Sequence, residues 1–324
     1  MHYLPNVAAT ALARHNLPLL RPRGAAIRRM VAAFAMCATS ALPLDAAEIK
    51  LGPDLGVVIE GNIETGDYDK LLSFIKDNDI RNSIFLASPG GNVAEAIKIG
   101  RLVRMLRMAT EIPGQFSREM RDAMSPDDLN KRLLKSANDH NIRNREDNYV
   151  CASACFFVFV AGVYRDKEPS VYDEPSLGIH RPFLTDSDLT SLSASEAMAS
   201  AKQLRAFIES YFKEMDVPSK YADLMFSVPR EQVRWIDDTN FEFDLEGFIP
   251  ELKDWIDARC DKRTAVEKVV SEELKDKPRT HLSATEKKVM ELLDEEEFER
   301  LVCEDKAREE LSREAKLKMF TEQK

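Results

Sequence analysis

Three short segments carry residue types that together support acyl transfer through a serine. They are Ser88-Pro-Gly-Gly91, Cys151-Ala-Ser-Ala-Cys155 and Gly178-Ile-His-Arg-Pro182. A serine hydroxyl becomes a nucleophile when a neighbouring base takes its proton and paired backbone N–H groups stabilise the oxyanion that develops. The segments offer a serine, a histidine and adjacent glycines, whose N–H groups approach a ligand with no Cβ between.

Ser153 is the candidate nucleophile, because it lies between two small alanines and precedes an apolar helical run. It would therefore sit at a helix start with little to block a substrate carbonyl. His180 ends a predicted strand, and imidazole titrates near neutrality, as a general base requires. Each segment alone also has an ordinary structural interpretation. Ser153 would then be a small packed residue, His180 a hydrogen-bonded strand end, and the glycines a turn.

The elements that must position these segments alternate between strands and helices. We predict strands at Leu55–Ile63, Ser83–Ala87, Met108–Ile112, Leu177–Pro182 and Val233–Ile236, and helices at Asp67–Ile75, Asn92–Leu106, Ser193–Met215 and from Pro218. The run Tyr149–Gly162 is the strongest core signal, and Arg165–Glu168 has the composition of a charged turn. Strands alternating with crossover helices predict an α/β architecture.

Composition narrows the class of protein. The chain has 324 residues, 44% of them hydrophobic and 31% charged, which excludes wholesale disorder and a polytopic membrane protein. Its net charge of −10 repels phosphate backbones, so we expect no nucleic-acid partner.

The first residues have the three-part order of a secretory signal. No acidic residue precedes Asp45, and the arginines there are Arg14, Arg21, Arg23, Arg28 and Arg29. The apolar run Met30–Leu44 and the small residues Ala46 and Ala47 follow. We therefore predict export, to the periplasm, with cleavage after Ala47. A retained N-terminal membrane anchor is the alternative, although the apolar run is short for a bilayer.

The cysteines are interpreted through that prediction, since an oxidising compartment favours disulfides. The cysteines that follow the predicted cleavage site are Cys151, Cys155, Cys260 and Cys303. This is an even number, with three ways to pair. If Cys151 and Cys155 shared a helix face, they would stand too far apart for mutual bonding, so we favour a bridge from one of them to Cys260 or Cys303. The alternatives are small buried apolar residues, or a disulfide that staples the nucleophile loop. A single C-x3-C is a weak zinc signal, so we predict no metal.

The order of the three segments resembles the proteolytic subunit of Clp protease and its relatives in the Clp/crotonase superfamily, exported members included. The similarity spans about Leu55–Gly247. It implies an α/β core of repeated β-β-α units wound into a superhelix, here with a charged helical C-terminal extension. It also implies assembly into a homo-oligomer and activity on peptide or protein substrates, and we expect no cofactor.

The resemblance assigns roles to individual residues. It implies Ser153 as nucleophile, His180 as base, and the N–H groups of Gly91 and Ala154 as oxyanion hole. By position, Gly90 and Asn92 are candidate substrate-binding residues.

The third catalytic residue of the family is an acid downstream of the histidine, and here the matching stretch Met225–Asp237 places no acid clearly. The nearby candidates are Asp223, Glu231, Asp237 and Asp238, and of these we choose Asp237. A Ser-His dyad is the alternative, since the acid orients the histidine and its loss lowers the rate without removing the nucleophile.

We divide the chain into an N-terminal segment 1–47, a Clp/crotonase-like domain 48–258 with a polar insertion 115–148, and a charged tail 259–324. The leading hypothesis is an exported serine peptidase. The second is a catalytically inactive scaffold that binds envelope peptides or proteins, favoured by the unclear acid and the charged insertion. A third is crotonase-type acyl-thioester chemistry, which would require coenzyme A and a cytoplasmic location.

Overall fold

The structure, a computed structural model, describes residues 46–112, 150–167, 176–183, 190–236, 238–275 and 277–321. Residues 1–45 of the predicted N-terminal segment, the insertion 115–148 and Asp237 lie outside the described residues.

The strands, numbered in chain order, are short and mostly apolar. They are β1 (Glu48–Leu51), β2 (Val57–Glu60), β3 (Ser83–Ala87), β4 (Ala109–Ile112), β5 (Cys151–Ala152), β6 (Tyr164–Lys167), β7 (Leu177–Ile179), β8 (Arg234–Trp235) and β9 (Gly247–Phe248). The helices are α1 (Asp67–Asp77), α2 (Val93–Met105), α3 (Ala154–Phe159), α4 (Ala194–Glu214), α5 (Lys220–Ser227), α6 (Asp238–Asp244), α7 (Pro250–Cys260), α8 (Ala265–Lys275) and α9 (Ala284–Thr321).

Within the described residues, six strands form one sheet in the order β1-β2-β3-β4-β6-β9. The central pairs β2-β3, β3-β4 and β4-β6 are parallel, and both edge strands pair antiparallel. A smaller sheet has the order β5-β7-β8, with β5 and β7 parallel. Because α1 and α2 connect successive parallel strands, the predicted α/β architecture is confirmed, whereas the repeated superhelix remains a prediction.

The crossover helices form where apolar spacing and capping favour them. In α1, Leu71 and Ile75 lie one turn apart and are buried. In α2, the Asn92 side chain caps the helix by accepting a hydrogen bond from the Glu95 N–H. The side-chain type of Asp67 predicts a cap for α1, but Gly66 occupies that position. The Asp67 carboxylate is buried and accepts a hydrogen bond from the Glu64 N–H instead.

The apolar run after β5 forms the centre of the core. Helix α3 packs on α2 and is buried throughout. Its Phe157 ring stacks on Phe212 of α4, with ring centroids 5.6 Å apart. On the same helix, the Tyr211 hydroxyl donates a 2.7 Å hydrogen bond to the Phe157 carbonyl. These contacts fix the helix that follows Ser153.

The predicted charged turn at Arg165–Glu168 is wrong, because its first residues belong to β6. The sequence looks like a turn since it is charged, yet Arg165 is buried and donates to the Met215 carbonyl at the end of α4. A cation is stabilised beside a helix C-terminus, although the buried Arg165 Nε has no partner among the described residues. An arginine with such a partner is compatible with a central strand.

The charged C-terminal region is helical and returns to the core. The Lys316 ammonium on α9 donates to the carbonyls of Ile80 and Arg81, at 2.8 and 2.6 Å. Partial burial lowers the pKa of Lys316 to about 8. In the described part of the chain, no helix is long and apolar enough to cross a bilayer.

Replacement of Tyr211 by phenylalanine should lower the free energy of unfolding by about 1–2 kcal/mol, because the buried Phe157 carbonyl loses its donor while the ring is retained. Urea denaturation measures the change. The matched control is Tyr164→Phe, since the Tyr164 hydroxyl bonds to no residue that the structure describes. An equal effect of the two substitutions would contradict this role of Tyr211.

Candidate active site

The three predicted segments lie at the carboxyl ends of neighbouring parallel strands. β5 pairs with β7, with Ala152 opposite Gly178. Ser88, directly after β3, forms a parallel bridge to Cys151. Because the carboxyl ends of parallel strands meet at one edge, the glycines, Ser153 and His180 all leave the sheets at the same place.

Backbone hydrogen bonds fix this alignment. The Ser88 N–H donates to the Val150 carbonyl at 2.7 Å, and the Ala152 N–H donates back to the Ser88 carbonyl at 3.0 Å. The Ser153 N–H then donates to the Gly178 carbonyl at 3.0 Å, two residues before His180. The segment Cys151–Cys155, called the nucleophile segment below, is therefore held by hydrogen bonds from both sides.

Ser153 has an unusual backbone conformation. Its φ of 56° and ψ of −118° lie in a sparsely populated region for a residue with a Cβ, and they turn the chain sharply from β5 into α3. Ser153 is partly exposed, whereas all the remaining residues from Val150 to Val163 are buried. A strained, partly exposed serine at a strand-to-helix turn has the backbone geometry of a nucleophile elbow.

The predicted cysteine pairing is wrong, because Cys151 is bonded to Cys155 and Cys260 to Cys303. The prediction assumed that the first two share a helix. Instead Cys151 lies on β5 and Cys155 on α3, and the turn at Ser153 brings their Cα atoms to 5.2 Å. That separation suits a disulfide. The prediction that these cysteines form disulfides is confirmed.

Gly90 lies directly against Ser153, the candidate nucleophile. A Cβ built on Gly90 would stand 2.6 Å from the Ser153 Cβ and 2.9 Å from the Ala154 nitrogen, so only glycine fits. The Gly90 φ of 112° also favours glycine. The sequence suggested Gly90 for substrate binding, whereas the structure shows its close approach to Ser153.

The peptide groups around Gly91 are clamped by Ile63. The Ile63 N–H donates to the Gly90 carbonyl at 2.8 Å, and the Asn92 N–H donates to the Ile63 carbonyl at 2.7 Å. In parallel pairing this leaves the N–H of Gly91 facing away from Ile63. Neither the Gly91 nor the Ala154 N–H has an acceptor among the described residues. Gly91 is exposed, whereas Ala154 is fully buried.

The Asn92 side chain makes hydrogen bonds within the protein through both its oxygen and its amide nitrogen. Its side-chain oxygen caps α2, and its amide donates to the Thr65 hydroxyl at 3.1 Å. These bonds fix the helix that follows the glycines.

His180 is partly buried beside the nucleophile segment. Its Nδ1–H donates to the Arg181 carbonyl at 3.1 Å, which places the ring proton on Nδ1 and the lone pair on Nε2. The ring stacks on Phe183, with centroids 6.0 Å apart. Burial lowers the pKa of His180 below its ordinary value, and the Arg181 carbonyl opposes that shift. The unprotonated base therefore predominates at neutral pH. No hydrogen bond joins His180 to Ser153 in this structure.

The candidate acids with described side chains pair with arginines, and the Arg230 guanidinium lies over the Phe183 ring, 5.5 Å from its centroid. Asp223 pairs with Arg205, and Glu231 pairs with Arg230 at 2.7 Å. The Asp238 side chain and the whole of Asp237 lie outside the described residues. Ile236, the described residue before Asp237, bonds to Leu177 at the start of β7, whereas His180 follows its end.

Sequence reasoning missed Ile63 and Phe183 as neighbours of the site. Ile63 acts through its backbone alone, so its side chain gives no signal. Phe183 follows His180 by three residues, and an aromatic so close in sequence to a candidate base is the signal that could have found this contact.

Comparison with known proteins gives little further information. No family model matches the chain. No curated protein matches it either. Among solved structures, one that matches is a mutant of a membrane-bound stomatin-specific protease, at 12% sequence identity and a TM-score of 0.34. The match covers 64% of this chain and 84% of that one. A similarity at this level supports no conclusion about the activity of this chain.

Substitution of Gly90 by alanine should destabilise the protein by about 3–5 kcal/mol, because the new methyl overlaps Ser153 in addition to straining a positive φ. Gly66→Ala is the matched control, since Gly66 has a φ of 102° and a methyl added there would meet nothing within 4 Å. It should cost about 1 kcal/mol. Equal losses in thermal or urea unfolding would show that Gly90 does not press on the nucleophile segment.

Truncation of Phe183 to alanine should raise the pKa of His180 toward its ordinary value, because the imidazole becomes better solvated. NMR titration of the ring protons measures the pKa. Phe243→Ala removes a highly exposed aromatic elsewhere and should leave the titration unchanged. An unchanged or lowered value in Phe183→Ala would contradict the shielding role of this ring.

Proposed function

We propose that the protein is an exported serine hydrolase of the Clp/crotonase type, with peptides as its substrates. The observation that carries the proposal is the conformation of Ser153, a strained and accessible serine in an otherwise buried run. Strain of this kind persists only where the surrounding structure enforces it, and it is concentrated at functional sites.

In the proposed reaction the Ser153 Oγ attacks the carbonyl carbon of a peptide bond. His180 Nε2 accepts the hydroxyl proton as the bond to carbon forms. The negative charge that develops on the carbonyl oxygen is stabilised by the N–H groups of Gly91 and Ala154. His180 then protonates the leaving amine, and water hydrolyses the acyl-enzyme by the reverse sequence of proton transfers.

The base would act as part of a Ser-His dyad or of a triad completed by Asp237. The Arg181 carbonyl already selects the tautomer that a base requires, which supports a dyad. A carbonyl does not neutralise the imidazolium as a carboxylate does, so a dyad would work more slowly. Substrate binding would have to bring Nε2 into hydrogen-bonding range of Ser153, as apo sites often require.

Export is part of the proposal. It is supported by the arginine-rich and apolar N-terminal sequence, and by the presence of two disulfides in one chain. Retention of the N-terminal segment would instead anchor the protein to the membrane. An exported location favours peptides over coenzyme A thioesters as substrates, and we further propose a homo-oligomer on the family resemblance.

A scaffold that binds peptides without cleaving them is the second candidate. It is favoured by one observation, the lack of a hydrogen bond from His180 to Ser153 or to any carboxylate that the structure describes. In such a protein the strained serine would be a remnant of an ancestral enzyme.

A fluorophosphonate probe should react with the mature protein at Ser153, because the phosphorus centre mimics the tetrahedral acyl-transfer intermediate. Intact mass and peptide mapping identify the adduct. Ser153→Ala should abolish labelling, and His180→Ala should slow it by about 100-fold or more through loss of the base. Ser227→Ala, at an exposed serine outside the site, is the control and should be labelled normally.

Lack of labelling in folded protein, across neutral and mildly alkaline pH, would reject the hydrolase. If peptides then bound equally to the parent and to Ser153→Ala, the scaffold would be supported. Labelling only at other serines would reject Ser153 as nucleophile.

A further inference from the structure

We propose that Cys151 and Cys155 are positioning residues, whose disulfide holds Ser153 in the conformation that attack requires. The inference rests on the proposed role of Ser153 as nucleophile. It assigns to the disulfide an effect on the reactivity of this serine, beyond its contribution to the stability of the fold.

The geometry centres the bridge on the serine. Cys151 precedes Ser153 by two residues and Cys155 follows it by two, one on β5 and the other on α3. The bonded ring therefore contains the whole strand-to-helix turn. Extension of this segment would separate the two Cα atoms beyond the 5.2 Å that they have here, so the bond limits the conformations open to Ser153.

No side-chain cap fixes the start of α3, as is also true of α1, α5 and α7. The side chains of Asn92 and Ser193 cap α2 and α4, whereas Ser153 makes no capping hydrogen bond to α3. A nucleophile must keep its hydroxyl free, and glycine, which would relieve the positive φ, has no hydroxyl. A covalent link between the flanking residues constrains the turn without using either group.

Burial supports a role through the backbone rather than through sulfur chemistry. Both sulfurs belong to fully buried residues, beneath the partly exposed Ser153. They present no surface to a substrate. The bond can act on the reaction only by fixing the peptide groups of Ser153 and Ala154, one of which is the proposed oxyanion donor.

The second disulfide provides an internal control. Cys260 and Cys303 join α7 to α9 and are 43 residues apart in sequence. Removal of this bond should reduce stability through the chain entropy of the unfolded state. It does not include any residue of the proposed site.

The experiment compares the double variants Cys151→Ala/Cys155→Ala and Cys260→Ala/Cys303→Ala with the parent. Circular dichroism establishes that each is folded, and fluorophosphonate labelling is followed over a range of probe concentrations. For the first variant we expect the maximal labelling rate to fall about 100-fold, the order that a displacement of about 1 Å causes, with little change in the half-saturating concentration. The second should melt at lower temperature and be labelled at the parental rate.

Each other outcome rejects a distinct claim. Parental labelling of folded Cys151→Ala/Cys155→Ala would overturn the positioning role and leave the proposed function intact. An equal loss of rate in both variants would assign the effect to general stability. Failure of the first variant to fold would also overturn the inference, since the bond would then hold the domain rather than the turn. Unlabelled parent protein would reject the proposed function itself.

Discussion

The conformation of Ser153 is the constraint on which the rest of the site depends. A residue with a Cβ held at φ 56° and ψ −118° costs about 1–3 kcal/mol relative to relaxed backbone. The disulfide between Cys151 and Cys155 closes a five-residue loop. The conformational entropy that it removes raises the free energy of the unfolded chain by about 2 kcal/mol. The two quantities are of the same order, so one local bond is able to offset the strain of the turn that it encloses.

The surrounding fold converts that turn into a site. β5 is paired on one side with the extension of β3 and on the other with β7, and the buried aromatic residues of α3 anchor the chain beyond it. Gly90 approaches Ser153 so closely that any side chain would displace it. Strand register and the close approach of Gly90 thus fix the backbone around Gly91 and Ala154, whose N–H groups have no acceptor among the described residues.

Much of the architecture follows from the sequence pattern, because strands and crossover helices are defined by local apolar spacing. The predicted bounds of β3 coincide with those in the structure. The helix predicted from Asn92 begins one residue later, because Asn92 is its cap. β6 was missed because the partner of Arg165 is a distant helix end. The cysteine pairing was missed because it depends on the positive φ of Ser153, a value that only tertiary packing enforces. For the same reason the contact of Gly90 with Ser153 has no sequence signal.

The central claim is that Ser153 faces two backbone donors suited to an oxyanion. The most direct measurement is a crystal structure of the protein after reaction with a fluorophosphonate. We expect phosphorus bonded to the Ser153 Oγ, with one phosphoryl oxygen within about 3 Å of both the Gly91 and Ala154 nitrogens. An adduct whose phosphoryl oxygens contact neither nitrogen, or that is bonded to another residue, would contradict the proposed site.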